Sequence, residues 1–413
     1  MISGIHAPCH THNPASDLLT HFRRITSRGR NFIPEIDGLR FVAIMAVVMF
    51  HLYGYTLSKH MSGATVRPYE LPLVAILGTG SYGVHLFFVI SGFLLTIPYA
   101  RWRLGLGTRP SLRAYYVRRL TRLEPPYILS MLLMFAAGAV AFGLNTELSR
   151  WPNLLASLFY QHSLLYGSPS LVNGVAWTLE IEVQFYVLAP FLTGIFAIRS
   201  LRIRRALLAA AIVAIPCLRK IIWGSVAPST VGGYFGILWY LELFLAGFLL
   251  ADLFLIDWNS DPEHSFVWDA ASLLAWPGLI ALIVWGKFQL LIPFAILLAC
   301  IGAFRGRMSS WIFRRQIITI VGGMCYSMYL LHYPVISLAG RMTNRLLPGS
   351  TFISRLAVDS LVILPAILAV TCAAFVLIER PCMDPAWPHA VLRYIAEWFE
   401  DVFTERRPRP SEQ

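Results

Sequence analysis

Gly38-Leu39-Arg40-Phe41-Val42-Ala43-Ile44-Met45-Ala46-Val47-Val48-Met49-Phe50-His51 is an almost unbroken apolar run that starts beside an arginine and ends on a histidine. Nothing in it offers water a polar face, so it reads as a helix crossing a bilayer. A full charge buried there costs roughly 2.5 kcal/mol or more unless a partner or water compensates it. Arg40 precedes His51 by eleven positions, about 16 Å along a helix. One helix therefore carries a cation near one membrane face and a proton-transfer group deep inside, which points to chemistry within the membrane.

The rest of the chain agrees. Of 413 residues, 57% are hydrophobic and 14% charged, whereas a soluble domain carries about 25% charged residues. The deficit predicts an all-α, polytopic membrane helical bundle. Spans of about 20 apolar residues number ten, at about 39–57, 81–100, 124–143, 176–198, 206–222, 235–256, 270–286, 288–304, 316–340 and 356–379. Segment 153–166 is apolar but short and reads as a partial helix on an outer loop. With the N-terminus inside, 25 of the 34 Lys and Arg residues fall on the inner side and 9 on the outer. The positive-inside rule then gives N-in and C-in, although the inner loop 257–269 is acidic. The expected setting is the inner (plasma) membrane, crossed many times.

The net charge of +12 suggests nucleic acid at first. The basic residues punctuate apolar segments and form no single face, so they mark topology and membrane lipid contact, with no nucleic-acid partner. Residues 1–33 hold His6, His10, His12, His21, Arg23, Arg24, Arg28 and Arg30 without an apolar core. They read as a disordered basic cytoplasmic tail, with metal binding by the four histidines as the alternative, and not as a signal peptide. Residues 34–381 form the membrane domain, and 382–413 a short cytoplasmic tail. Six cysteines show no CxxC pairing and read as packing residues, leaving no metal site to expect.

Three titratable groups from different spans come out near one depth. Counted from the inner boundary, His51 lies about 18 Å up, Glu182 about 21 Å and His332 about 22 Å. Membrane bundles turn such groups toward their interior or a water-filled cavity. Tyr326, Tyr329, His332 and Tyr333 form a polar stripe at helical spacing. Arg113, Arg118, Arg119 and Arg122 precede Pro125-Pro126; they are phosphate ligands by guanidinium geometry or, alternatively, topology anchors. Ser91-Gly92 reads as close helix packing, with a Ser91 nucleophile as the alternative. His85 reads as a vestibule residue, and Glu180 as a secondary candidate on another side of the Glu182 helix.

These residues fall into an ordered set that resembles the acyltransferase family 3 membrane proteins, which include O-antigen and exopolysaccharide O-acetyltransferases. The set runs from Glu35-Ile36-Asp37-Gly38-Leu39-Arg40, with its ten-residue gap to His51, through Phe87-Phe88-Val89-Ile90-Ser91-Gly92-Phe93 and Arg118-Arg119-Leu120-Thr121-Arg122-Leu123-Glu124-Pro125. It continues through Trp177-Thr178-Leu179-Glu180-Ile181-Glu182-Val183-Gln184-Phe185-Tyr186 and Tyr326-Ser327-Met328-Tyr329-Leu330-Leu331-His332-Tyr333-Pro334, and closes at Glu379-Arg380-Pro381. Thr178 stands where the family often has Ser, and the extracytoplasmic hydrolase-like domain that many members append is not seen in this sequence.

The resemblance implies transfer of an acyl group, typically acetyl, from cytoplasmic acyl-CoA to a hydroxyl of a sugar or small molecule, with no bound cofactor. Arg40, Arg118, Arg119 and Arg122 would then hold the donor, and His51 would act as general base. Glu182 and His332 would orient it, bind the acceptor or relay the proton outward, and Tyr329 is a candidate oxyanion donor. An acyl-His51 intermediate is an alternative route. The rival class is a transporter or flippase using the same histidines and Glu182 as a proton relay; no pair of Gly/Pro-interrupted spans at matching positions in two halves supports it.

Overall fold

The computed structural model describes residues 22, 24, 32–60, 66–223, 236–343, 351–384, 386–388 and 393. The N-terminal histidines and most of the C-terminal tail lie outside the described residues. Among the described residues there is no β-strand, only an isolated bridge between Ser265 and Gly306. The expectation of an all-α bundle therefore holds.

Ten helices carry the architecture: α1 (Pro34–His60), α2 (Gly83–Arg103), α3 (Leu112–Phe142), α4 (Trp177–Leu192), α5 (Leu201–Trp223), α6 (Leu241–Asp252), α7 (Phe266–Trp285), α8 (Ile292–Arg305), α9 (Cys325–Thr343) and α10 (Phe352–Ala374). Ser111, Ser265 and Thr351 cap α3, α7 and α10 by accepting a backbone N–H from the first turn, which satisfies donors that the helix itself cannot. Gly286, in the left-handed region at φ 67°, ends α7 as only glycine does without strain.

Among the described residues, six helical stretches are long and apolar enough to cross a membrane: Pro34–Ser58, Pro68–Arg103, Leu112–Ala141, Trp177–Ala197, Phe266–Trp285 and Phe352–Cys382. The other four expected spans differ for physical reasons. Helix α5 carries Arg202, Arg204, Arg205, Arg219 and Lys220. Helices α6 and α8 are short, at 12 and 14 residues, and mostly buried in protein, so they need not match the thickness of the lipid. Helix α9 carries the polar stripe.

Helix α6 lies in the core because glycine allows backbone to touch backbone. A Cβ on Gly92 of α2 would sit 2.2 Å from the Phe244 carbonyl oxygen, and one on Gly247 of α6 would sit 2.3 Å from that of Val89. This is the small-residue crossing that membrane helices favour, and it places Gly92 in packing, as its sequence suggests. Phe185 of α4 stacks on Phe244 with ring centroids 3.8 Å apart. Gly80 and Gly83 abut Ala46 and Ala43 of α1 in the same way.

Segment 151–176 is partly helical, as expected for 153–166, but it packs into the bundle instead of standing as an outer loop. It forms two short helices, Trp151–Leu158 and His162–Tyr166, and folds back into the bundle. Ser157, His162 and Ser163 are buried. Irregular backbone survives at such depth when its polar groups find partners in protein. Ser157 Oγ and Ser170 Oγ are 2.7 Å apart, His162 Nε2 pairs with Asn153 Oδ1 at 2.9 Å, and Ser163 N donates to Glu180 at 2.7 Å. Glu180 is thus a structural strut of this segment. Asn173 donates from its side chain to the Leu330 carbonyl in the first third of α9.

Candidate active site

His51 and His332 meet. His332 Nε2 lies 3.1 Å from His51 Nδ1. His332 Nδ1 faces the carbonyl oxygens of Tyr329 at 2.8 Å and Met328 at 3.1 Å. A carbonyl can only accept, so in the neutral ring this nitrogen carries the proton and Nε2 is left as an acceptor. His51 Nδ1 then faces two acceptors, the Val47 carbonyl at 3.0 Å and His332 Nε2. It must therefore be the donor, which leaves the lone pair of His51 on Nε2. Both tautomers follow from helix geometry alone: each Nδ1 turns back onto a carbonyl of its own preceding turn. His332 is fully buried while His51 is partly exposed. Tyr333 packs edge-on to His51 at 5.5 Å.

Glu182 does not join them, which corrects the expected common depth. Its carboxylate accepts from Ser91 Oγ at 2.6 Å. Because segment 151–176 folds against the bundle, α4 begins beside Tyr329 and Leu330, midway along the expected span 316–340 and not at its end. Thr178 touches Tyr329. Glu182 lies four residues beyond Thr178 in one direction and His332 three beyond Tyr329 in the other, which separates their levels by about 10 Å. There are two polar levels, an upper one with both histidines and a lower one with Glu182 and the arginines.

The lower level lines a cavity of about 790 Å³, counted to its open mouth. Arg40, Arg119, Arg122, Glu182 and Tyr329 all lie in its wall, as do Ser91, Arg24 and Glu379. Arg118 is exposed on α3 and is not among the lining residues. Arg40 and Arg24 both donate to Asp37 Oδ1, at 2.6 and 2.9 Å, so one buried carboxylate holds two guanidiniums in place. Arg119 lies over the Tyr186 ring at 5.2 Å. Arg122 lies in the cavity wall, and its Nε is buried without a hydrogen-bond partner among the described residues. Glu379 accepts from the Ser327 N–H at 3.0 Å and the Ser327 hydroxyl at 2.5 Å, and its other oxygen is unpaired among the described residues.

Tyr329 stands between the two levels. Its ring centroid is 5.8 Å from that of His332 and 6.3 Å from that of Phe87. Its hydroxyl donates to the Val175 carbonyl at 2.8 Å and accepts from Thr178 Oγ1 at 2.6 Å. The phenol proton is committed, so Tyr329 serves as wall more readily than as oxyanion donor. Thr178, standing at the family's frequent Ser position, supplies the same hydroxyl. Among the described residues no group of three or more His, Cys, Asp or Glu side chains is arranged to hold a metal ion.

Sequence reasoning missed Arg24, which lay in a segment read as a tail, and weighed Ser91 as a packing residue or a nucleophile, not as the partner of Glu182. Glu379 was visible only as part of a closing motif. The signal for Arg24 was its neighbour Phe22, an aromatic in a polar stretch, which packs on Ile320, Met324 and Phe375.

Comparison with known proteins gives one answer. Among curated relatives, the chain is 28% identical over 350 residues to YrhL of Bacillus subtilis, provisionally named a peptidoglycan O-acetyltransferase, covering 75% of this chain and 49% of that protein. It is 28% identical over 336 residues to SACOL0978 of Staphylococcus aureus, provisionally named an O-acetyltransferase, covering 74% and 51%. Over 186 residues it is 29% identical to the peptidoglycan O-acetyltransferase OatA of Listeria monocytogenes, covering 42% of this chain and 26% of that one. The matched region thus spans about half or less of these relatives' length. No solved structure matches the chain. Residues 33–380 match the acyltransferase domain model Acyl_transf_3, and the chain belongs to that acyltransferase family.

Proposed function

We propose that this protein is a multi-pass membrane O-acyltransferase of the inner (plasma) membrane. It moves an acetyl group from cytoplasmic acetyl-CoA to a hydroxyl of a cell-envelope glycan. The observation that carries this reading is the tautomer lock at His51, which leaves Nε2 as an unprotonated base above a cavity lined by four arginines. The names of the relatives support the glycan acceptor.

The donor's phosphates dock on Arg119, Arg122, Arg40 and Arg24 by charge-assisted hydrogen bonds. Its thioester arm runs past Ser91 and Glu182 and along the wall formed by Phe87 and Tyr329 toward His51. Arg40 and His51 are about 16 Å apart along α1, so a large anionic head and a distant reacting carbonyl fit one extended molecule. The acceptor hydroxyl gives its proton to His51 Nε2 as its oxygen attacks the thioester carbon. His332 Nε2 and the Val47 carbonyl, both acceptors, stabilise the imidazolium that forms. The tetrahedral intermediate then expels the CoA thiolate, which takes the proton, leaving ester and free CoA thiol. An alcohol is a weak nucleophile at neutral pH, and a positioned base supplies about 10²- to 10⁴-fold of rate.

The test is release of CoA thiol from acetyl-CoA in proteoliposomes holding purified protein, with His51→Ala and Arg40→Ala compared to wild type. Release that needs neither residue overturns the assignment, and transport of the acyl donor without bond cleavage would favour the carrier class.

A further inference from the structure

A second basic concavity, of about 680 Å³ to its mouth, lies on the short helix Arg307–Phe313 and shares no lining residue with the donor cavity. Arg307, Arg314, Arg315, His264, Gln316 and Trp311 line it. Its guanidiniums carry more charge than the protein neutralises. Arg314 makes one long contact with Glu35, 3.7 Å, and Glu35 also accepts from Ser310 Oγ at 3.0 Å. Arg307 lies over the Phe266 ring at 5.3 Å and Arg315 over the Trp311 ring at 3.3 Å, and neither has an ion pair among the described residues.

The same helix turns apolar side chains outward. Met308 is 60% exposed and Trp311 58%, and Ile312 and Ile317 are exposed beside them. Arginine and tryptophan side by side, flanked by exposed aliphatic groups, suit the boundary between headgroups and acyl chains. The charge tally assigns this end of the bundle to the cytoplasm, where anionic lipids collect basic residues.

We propose that this pocket binds the phosphate headgroup of an anionic phospholipid, whose acyl chains lie along Met308, Trp311 and Ile312. Guanidinium forks are built for phosphate oxygens, and the flanking apolar surface separates a lipid from free phosphate. This site is independent of the acyl-transfer reading.

The experiment uses the purified full chain in neutral detergent and reads its apparent Tm with short-chain phosphatidylglycerol, short-chain phosphatidylcholine or inorganic phosphate added. Binding to the folded state alone raises Tm. Phosphatidylglycerol is expected to raise it by several degrees and the other two to leave it unchanged. The R307Q/R315Q double variant should lose the shift. R103Q, which removes an exposed arginine stacked on Trp102 outside this pocket, should keep it. A shift that survives in R307Q/R315Q, or that inorganic phosphate reproduces, overturns the proposal. Should the double variant fail to fold, wild-type protein labelled with photoreactive phosphatidylglycerol decides: label on peptide 307–316 supports the site, and label confined to other peptides overturns it.

Discussion

Replacing His332 with Leu tests the histidine pair most sharply. Leucine fills much of the imidazole's volume but accepts no hydrogen bond. His51 Nδ1–H has two acceptors, the Val47 carbonyl at 3.0 Å and His332 Nε2 at 3.1 Å. In His332→Leu the carbonyl remains, so the tautomer of His51 persists and Nε2 stays basic. What is lost is one acceptor facing the imidazolium of the transition state. A hydrogen bond to a charged group contributes about 1.5–3 kcal/mol, so kcat/KM should fall about 10- to 150-fold. His51→Ala removes the base itself and should cost more, up to about 10⁴-fold. His332→Gln, which carries a carbonyl oxygen, should recover part of the loss. The assay is the initial rate of CoA thiol release in membrane vesicles that supply their own acceptor, with thermal stability measured on each variant. A folded His332→Leu protein as inactive as His51→Ala, or as active as wild type, would refute the two-acceptor reasoning.

Other outcomes follow from the lower level and the helix crossing. Arg122→Ala should weaken acetyl-CoA binding about 10- to 150-fold, the loss of one charge-assisted hydrogen bond, whereas Arg118→Ala should change it less than about threefold because exposed charge pairs contribute little; isothermal titration of both variants checks this. Glu182→Gln keeps an acceptor for Ser91 and removes a negative charge from the anion cavity, so KM for acetyl-CoA should fall, and a rise in KM would show that the carboxylate contacts the donor directly. Gly247→Ala drives a Cβ to 2.3 Å from the Val89 carbonyl and should destabilise by about 1–3 kcal/mol. Gly278→Ala, with nothing within 4 Å of its Cβ, should be neutral or slightly stabilising; comparing thermal melts in detergent separates the two. Tyr329→Phe should lower stability but keep kcat within about tenfold, since the phenol proton already goes to Val175; a loss of several hundredfold in kcat, near that of deleting an oxyanion donor, would return Tyr329 to that role.

Much of the arginine-lined wall was legible because residue type and position carried it. Arg40, Arg119 and Arg122 are cations bordering apolar runs, and each lines the cavity. Arg118 is chemically identical, and only the face of α3 on which it lies excludes it. Arg24 went unseen because its place depends on Asp37 and on the docking of Phe22, two contacts that no local pattern encodes. The depth of Glu182 went wrong for a similar reason. Counting residues from a presumed membrane surface assumes that the chain enters there, and segment 151–176 enters deeper.

Sequence alone determined the class of the molecule. A chain with 14% charge and long apolar runs can satisfy its backbone in lipid only through helices here. It also determined which side chains are costly enough in lipid to need a use, His51, His332 and Glu182 among them. Tertiary structure decided which of those meet. Whether two side chains from helices 281 residues apart in sequence come within 3.1 Å depends on glycine crossings and re-entrant turns. Those choices are set by packing between distant segments, which a one-dimensional period cannot record.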